Sequence, residues 1–195
     1  MTTDAAVPAR ARKPASVRRT EILDAAAIEF AESGLAGTRL EVIAARVGIS
    51  HPRIVQMFGS KQALFLAVVD ATFDQIAATF SAAATRLRTG DGGVTPLIGL
   101  GDAYRRLLQR DRTVALMMLQ SYAAAGDDAV RRAVAGRHLA LQRAVSDITG
   151  ADELEVRTFF ATGFMVTIST ALALPGKRTD AAWGAWLLER VAHDG

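Results

Sequence analysis

Apolar residues recur with a helical period along almost the whole chain, and this period limits the possible folds more than any other feature. Between residues 40 and 47, for example, they stand at positions i, i+3, i+4 and i+7, on one face of a helix. No stretch alternates polar and apolar residues as a half-buried strand does. The sequence therefore predicts an all-α fold of about nine helices.

Glycines divide the N-terminal part of this pattern into three short helices. Gly34, Gly48 and Gly59 stand where the apolar stripes stop, as glycines do at the C-terminal ends of helices. Thr38 and Glu41 have the spacing of a capping box, in which each side chain bonds the other's free backbone N–H. We therefore expect the second helix to begin at this pair.

The C-terminal part of the pattern consists of longer helices. The fourth helix runs from residue 60 without Gly or Pro until a glycine-rich loop at 89–95. The last two helices are expected at about 152–174 and 180–192, separated by a Pro–Gly pair.

Most of the positive charge lies at the N-terminus. Residues 1–19 contain five Lys or Arg and one Asp, a net charge of +4, whereas the whole chain carries +3 and the rest therefore −1. The Ala- and Pro-rich residues 1–16 predict a disordered basic arm. This arm is either a solvated tail or a segment that contacts DNA phosphates or the minor groove.

Several classes of site are missing from the sequence. The chain has no cysteine, and no apolar segment of the secretory type follows its basic N-terminus, which favours the cytoplasm. No Gly-rich phosphate loop or nucleophile elbow appears, so neither a cofactor nor catalytic residues are predicted. His51, His138 and His193 are far apart and lack metal-binding spacing, so no metal site is predicted.

The second and third helices have the arrangement of a helix-turn-helix, with a turn around residues 48–50. Ile54 and Phe58 are one turn apart and are expected to face the core. The outer face of the third helix would then carry His51, Arg53, Gln56 and Met57. Arg and Gln can form paired hydrogen bonds with guanine and adenine in the major groove.

Residues 21–65 contain ILDAA at 22–26, FAESGL at 30–35, GTRL at 37–40, IAARVGIS at 43–50 and FGSKQALF at 58–65. This run closely resembles the DNA-binding domain of the TetR family of transcriptional repressors. The resemblance implies a helix-turn-helix DNA-binding domain at 17–65 and a helical ligand-binding and dimerisation domain at 66–195.

The resemblance also implies a set of DNA contacts, drawn from the first four helices. They are Arg18, Arg19, Thr38, Arg39, Ser50, His51, Pro52, Arg53, Val55, Gln56, Met57 and Lys61. Val55 and Met57 depart from the family, which usually has an aromatic residue at the first position and often a histidine at the second. Valine cannot donate a hydrogen bond to a phosphate. Lys61 and the basic arm are therefore expected to make more of the phosphate contacts.

Large side chains on the middle helices are expected either to line the family's effector cavity or to form core. They are Phe73, Phe80, Tyr104, Met117, Met118, Tyr122 and His138. Aromatic and methionine side chains suit an adaptable apolar pocket. For His138, the alternative is a partly buried structural histidine.

Residues 158–176 carry no charge, and this stretch is long enough for a transmembrane helix to be one interpretation. Its five Thr and Ser residues and its terminal Pro–Gly favour instead a helix buried between subunits of a homodimer. The predicted interface contains Phe160, Phe164, Ile168, Trp183, Trp186 and Leu187.

The favoured function is a repressor that a small apolar or aromatic effector releases from a palindromic DNA operator. Two alternatives remain from the residues alone. One is an all-helical enzyme whose site assembles in three dimensions, and the other is a helical interaction module without operator binding.

Overall fold

The computed structural model describes residues 14–89 and 95–174, and within these ranges it contains helices and no strands. The all-α prediction is confirmed. The elements are α1 (Ala15–Gly37), α2 (Leu40–Val47), α3 (His51–Phe58), α4 (Lys61–Thr89), α5 (Pro96–Arg110), α6 (Arg112–Ala123), a 3-10 turn (Ala124–Gly126), α7 (Asp128–Thr149) and α8 (Glu153–Ala171). The helix predicted at 180–192 and most of the arm predicted at 1–16 lie outside the described residues.

The junction between α1 and α2 differs from the sequence prediction. Gly34 has a φ of +67°, a left-handed conformation that turns the chain near the end of α1. The hydroxyl of Thr38 donates to the carbonyl oxygens of Gly34 (2.7 Å) and Glu29 (3.1 Å). Arg39 is the residue that precedes α2, and it makes no side-chain cap. The predicted Thr38–Glu41 capping box is therefore wrong, because the Thr38 hydroxyl bonds back to α1.

The first three helices and the start of α4 share one core. Ile22, Phe30, Ile43 and Ile54 are completely buried there. The ring of Phe30 meets that of Phe65 edge to face, with centroids 5.1 Å apart. The DNA-binding unit expected from the sequence is thus packed onto the helix that follows it.

Helix α4 carries one continuous apolar stripe. Its members Phe65, Val69, Phe73, Ile76 and Phe80 are each at most 3% exposed. In the described part of the chain, α4 is the one helix long and apolar enough to cross a membrane by length and composition. The same side chains belong to the hydrophobic core, which accounts for its apolar character.

The C-terminal helices are fixed by caps that use acidic side chains. Asp111 and Asp127 accept hydrogen bonds from backbone N–H groups in the first turns of α6 and α7. Asp152 and Glu155 form a capping box at the start of α8. Arg112 donates to the carbonyl oxygens of Thr170 and Ala171, which ties the start of α6 to the end of α8.

Replacing Thr38 by Val should destabilise the fold by about 1–2 kcal/mol, because the buried hydroxyl holds the α1–α2 junction. Urea unfolding measures this change. Thr20 is a matched control in the same domain, since its exposed hydroxyl bonds only the carbonyl oxygen of Ser16. Thr20→Val should change stability by less than about 0.5 kcal/mol. Equal effects of the two substitutions would contradict the role assigned to Thr38.

Candidate functional site

Helix α3 presents one polar face and one buried side. Gly48, with a φ of +66°, makes the turn between α2 and α3, and its N–H bonds the carbonyl oxygens at the end of α2. Ile54 is completely buried, whereas Arg53 and Gln56 are exposed on the opposite side. These positions agree with the sequence prediction. Of the other predicted contacts on α3, Pro52 and Val55 are exposed and His51 and Met57 are half-buried.

The exposed side chains of α2 and α3 interact with one another. Arg53 Nη1 donates to Gln56 Oε1 at 2.6 Å, which holds the two predicted base-reading groups together. Glu41 Oε1 lies 3.4 Å from His51 Nδ1, and Glu41 Oε2 lies 4.0 Å from Arg39 Nε. Ser50 precedes α3 and is exposed, without a side-chain cap.

The remaining predicted contacts are engaged within the domain. Lys61 Nζ donates to the carbonyl oxygens of Ala36 (3.1 Å) and Thr38 (3.0 Å). Arg18 lies in α1, where Nη1 donates to Glu21 Oε2 at 3.1 Å, and the Arg19 guanidinium stacks on the Phe58 ring at 4.4 Å. Thr38 is only 3% exposed, so its hydroxyl does not face solvent in this conformation.

A cavity of about 420 Å³ lies among α4, α5, α6, α7 and α8. It has the size and apolar lining of a small-molecule site. Five of the seven residues predicted for the effector pocket line it: Phe80, Tyr104, Met118, Tyr122 and His138.

The other two predicted pocket residues do not line this cavity. Phe73 lies about two turns before Phe80 on α4, and Met117 is turned about 100° from Met118 on α6. Both are almost completely buried in the core. Their placement corrects the pocket prediction, because a shared apolar stripe does not distinguish core from cavity.

Helix α8 supplies cavity residues that the pocket prediction missed. Phe159, Phe160, Phe164 and Thr167 all line the cavity. Phe160 and Phe164 had been predicted for the dimer interface. The 160–164–167 spacing, with steps of four and three residues, was the available signal for a second cavity-facing stripe.

The polar groups of the cavity bond one another. Tyr122 Oη lies 3.1 Å from His138 Nδ1, and Gln142 Nε2 lies 3.0 Å from His138 Nε2. Burial lowers the pKa of His138, and burial together with nearby Tyr104 raises the pKa of Tyr122 to about 12. Both side chains are therefore neutral at pH 7. No group of three potential metal ligands occurs among the described residues.

An exposed apolar stripe follows the outer side of α8. Phe164, Met165 and Leu172 are exposed, the last by 62%, and Ile168 is half-buried between them. The predicted interface residues Trp183, Trp186 and Leu187 lie outside the described residues.

Comparison with known sequences places the N-terminal part in a family. Residues 22–68 match the family described as bacterial regulatory proteins, tetR family. The HTH-type transcriptional regulator RutR of Escherichia coli (strain K12) is 41% identical over 59 residues, which are 30% of this chain. The matched segment spans only 28% of the length of RutR.

Solved structures resemble this chain over most of its length. A TetR-like transcriptional regulator from Rhodococcus sp. RHA1 has a TM-score of 0.66 at 22% identity, covering 88% of this chain and 92% of its own. The transcriptional regulator FadR from Bacillus subtilis, in complex with stearoyl-CoA, also has a TM-score of 0.66, at 18% identity, covering 87% and 95%. At such low identity these likenesses show the shared fold.

The arrangement of α1–α3 ahead of a helical bundle defines a protein of the helix-turn-helix class. Residues 22–68 are similar to the tetR family of bacterial regulatory proteins, and the described part of the chain shares the fold of solved TetR-like regulators.

Proposed function

We propose that this protein is a cytoplasmic transcriptional repressor that binds a palindromic operator as a homodimer and is released by a small apolar or aromatic effector. The observation that carries the proposal is the exposed Arg53–Gln56 pair on α3 of a TetR-family helix-turn-helix. Arg and Gln are side chains that read guanine and adenine edges in the major groove. RutR is by name a transcriptional regulator, and FadR was solved with stearoyl-CoA, a partly apolar ligand.

The DNA-binding part of the proposal requires two kinds of contact. Arg53 is exposed on α3 and is assigned to a base. Lys61 lies at the N-terminus of α4 and is assigned to a phosphate. Its ammonium group has three donors, of which two are used by the carbonyl oxygens of Ala36 and Thr38. The third donor is sufficient for one phosphate contact.

Selection of bound fragments from a random duplex pool should yield a two-fold symmetric motif, and the variants are then measured on that motif. Arg53→Ala should lose about 1–3 kcal/mol of discrimination at one base pair in each half-site. Lys61→Ala should weaken binding to all sequences and flatten the slope of log K against log salt by about one unit.

Arg132→Ala serves as the matched control, because Arg132 is an exposed arginine on α7, outside the helix-turn-helix. It should bind like the parent at every salt concentration. Because Lys61 also bonds backbone carbonyls, the unfolding of each variant is measured in parallel. If Arg53→Ala and Lys61→Ala both bind like Arg132→Ala, the proposed DNA-binding face is wrong.

The homodimer is proposed to form along the exposed stripe of α8. Met165, Ile168 and Leu172, the last directly after α8, follow one another at three and four residues, so that they form one apolar surface about two turns long. In a two-fold dimer the two recognition helices would meet successive major grooves, roughly 34 Å apart.

Introducing charge into this stripe should therefore produce a monomer. Met165→Glu combined with Leu172→Glu would place two carboxylates in the interface, and sedimentation velocity reports the change in mass. Leu139→Glu is the control, because Leu139 is also an exposed leucine but lies on α7. A dimer that survives the Met165→Glu and Leu172→Glu substitutions together would exclude this interface.

The effector is proposed to act through helices shared by the cavity and the DNA-binding domain. Helix α4 extends from Lys61, beside that domain, to Phe80 in the cavity. Helix α6 carries Met118 and Tyr122 in the cavity, while Gln120 between them donates to the carbonyl oxygen of Ala31 in α1. A ligand weakens DNA binding only if it binds the DNA-free arrangement more tightly, typically by 1–3 kcal/mol.

A further inference from the structure

Six rings form a continuous series around the cavity. In order of contact they are Phe80, Phe159, Phe160, His138, Tyr122 and Phe164, and successive centroids lie 5.4–6.1 Å apart. Their ring planes cross at 64–78°, which is the edge-to-face arrangement. A wall of this kind favours a planar aromatic ligand, because ring-to-ring contacts add to the gain from burying apolar surface.

The hydrogen bonds of His138 determine what Tyr122 can offer to a ligand. Gln142 directs its amide nitrogen at His138 Nε2, and an amide nitrogen can only donate. His138 Nε2 is therefore the acceptor, and the neutral ring carries its proton on Nδ1. That N–H donates to Tyr122 Oη at 3.1 Å. The hydroxyl hydrogen of Tyr122 is not used in this pair, and among residues 14–89 and 95–174 no acceptor bonds it, so it can be offered to a ligand in the cavity.

The second tyrosine of the cavity differs in this respect. Thr167 Oγ1 donates its hydrogen to the carbonyl oxygen of Gly163 at 2.9 Å. In the 2.8 Å contact between Tyr104 Oη and Thr167 Oγ1, the tyrosine must therefore be the donor. The hydrogen of Tyr104 is engaged, whereas that of Tyr122 is not. The two residues form a matched pair within one cavity.

The cavity also lacks the groups that would select a charged ligand. Among the described residues that line it there is no carboxylate, and Arg157 is the one charged side chain. The Arg157 side chain is 71% exposed and bonds Glu153 at 3.1 Å, so it lies at the outer edge. An ionic ligand would lose its hydration without gaining a buried counter-charge.

We propose that the cavity binds neutral, planar aromatic molecules that carry a hydrogen-bond acceptor, and that the Tyr122 hydroxyl donates to this acceptor. The inference rests on the proposed function, in which this cavity is the effector site. It assigns Tyr122 as the residue that determines specificity, with His138 and Gln142 as residues that position its free hydrogen.

Isothermal titration calorimetry on the full chain without DNA tests the proposal with two probes of nearly the same shape. 2-Acetylnaphthalene carries a carbonyl oxygen, and 2-isopropenylnaphthalene has a CH2 group in its place. The parent protein should bind the ketone about threefold to tenfold more tightly than the hydrocarbon, the effect of one hydrogen bond between neutral groups.

Two variants locate the donor. Tyr122→Phe keeps the ring and should reduce the ratio of the two affinities to about one. Tyr104→Phe removes a hydroxyl whose hydrogen is already engaged, so the ratio should stay at its parental value whatever the absolute affinities. Circular dichroism is used to check that each variant is folded. A ratio that persists in Tyr122→Phe, or that disappears in Tyr104→Phe alone, overturns the assignment.

Two charged probes test the class of ligand. 2-Naphthoate and 2-naphthylmethylammonium should each bind the parent more weakly than 2-acetylnaphthalene. Tighter binding of either ion, or no binding of the ketone, refutes the proposal.

The proposed function is tested separately, because operator binding is measured without any probe. Loss of operator binding would remove the regulatory function and leave the affinity ratio unchanged. A missing ratio alongside intact operator binding would refute only the ligand assignment.

Discussion

The rest of the structure depends on the continuous apolar stripe of α4. Near its first turns, Phe65 packs edge to face on Phe30 and closes the core of the helix-turn-helix. Four turns later, Phe80 faces the cavity and meets Phe159 of α8. One helix therefore packs both on the helix-turn-helix and on the wall of the cavity, and no Gly or Pro interrupts it. The same rigid, closely packed helix therefore contacts both the helix-turn-helix and the cavity wall.

The features that the sequence could predict are those set by local chemistry. The period of α4, the left-handed turn at Gly48 and the outward position of Arg53 all follow from residues within one or two turns. The direction of the Thr38 hydroxyl could not be predicted in this way. Its partners Gly34 and Glu29 precede it on α1, and their geometry depends on the positive φ of Gly34.

The sequence predicted most of the residues that line the cavity but not the hydrogen bonds between them. Phe80, Tyr122 and His138 were expected because their helices carry apolar stripes, but the same reasoning included Phe73, which is core. Periodicity gives the buried face of a helix and not what lies opposite it. Tyr122 and His138 are sixteen residues apart on α6 and α7, and only the packing of these two helices brings them into contact. Phe160 was expected at a subunit interface but lines the cavity, because periodicity does not show which neighbour a helix face contacts.

Two helices connect the cavity with the DNA-binding domain, and their contacts differ in kind. Helix α4 is joined to that domain by apolar packing, which tolerates little change in spacing. Helix α6 is joined to α1 by the Gln120 amide, which donates to Ala31 O at 3.3 Å. The Gln120 side chain also fills the space beside Gly34, where a Cβ atom would lie only 2.8 Å from its Oε1. Any larger residue at position 34 would therefore meet Gln120 as well as the unfavourable positive φ. Gly34 thus allows both the turn into α2 and the close approach of α6, so the helix that carries Tyr122 is packed directly against the turn into the helix-turn-helix.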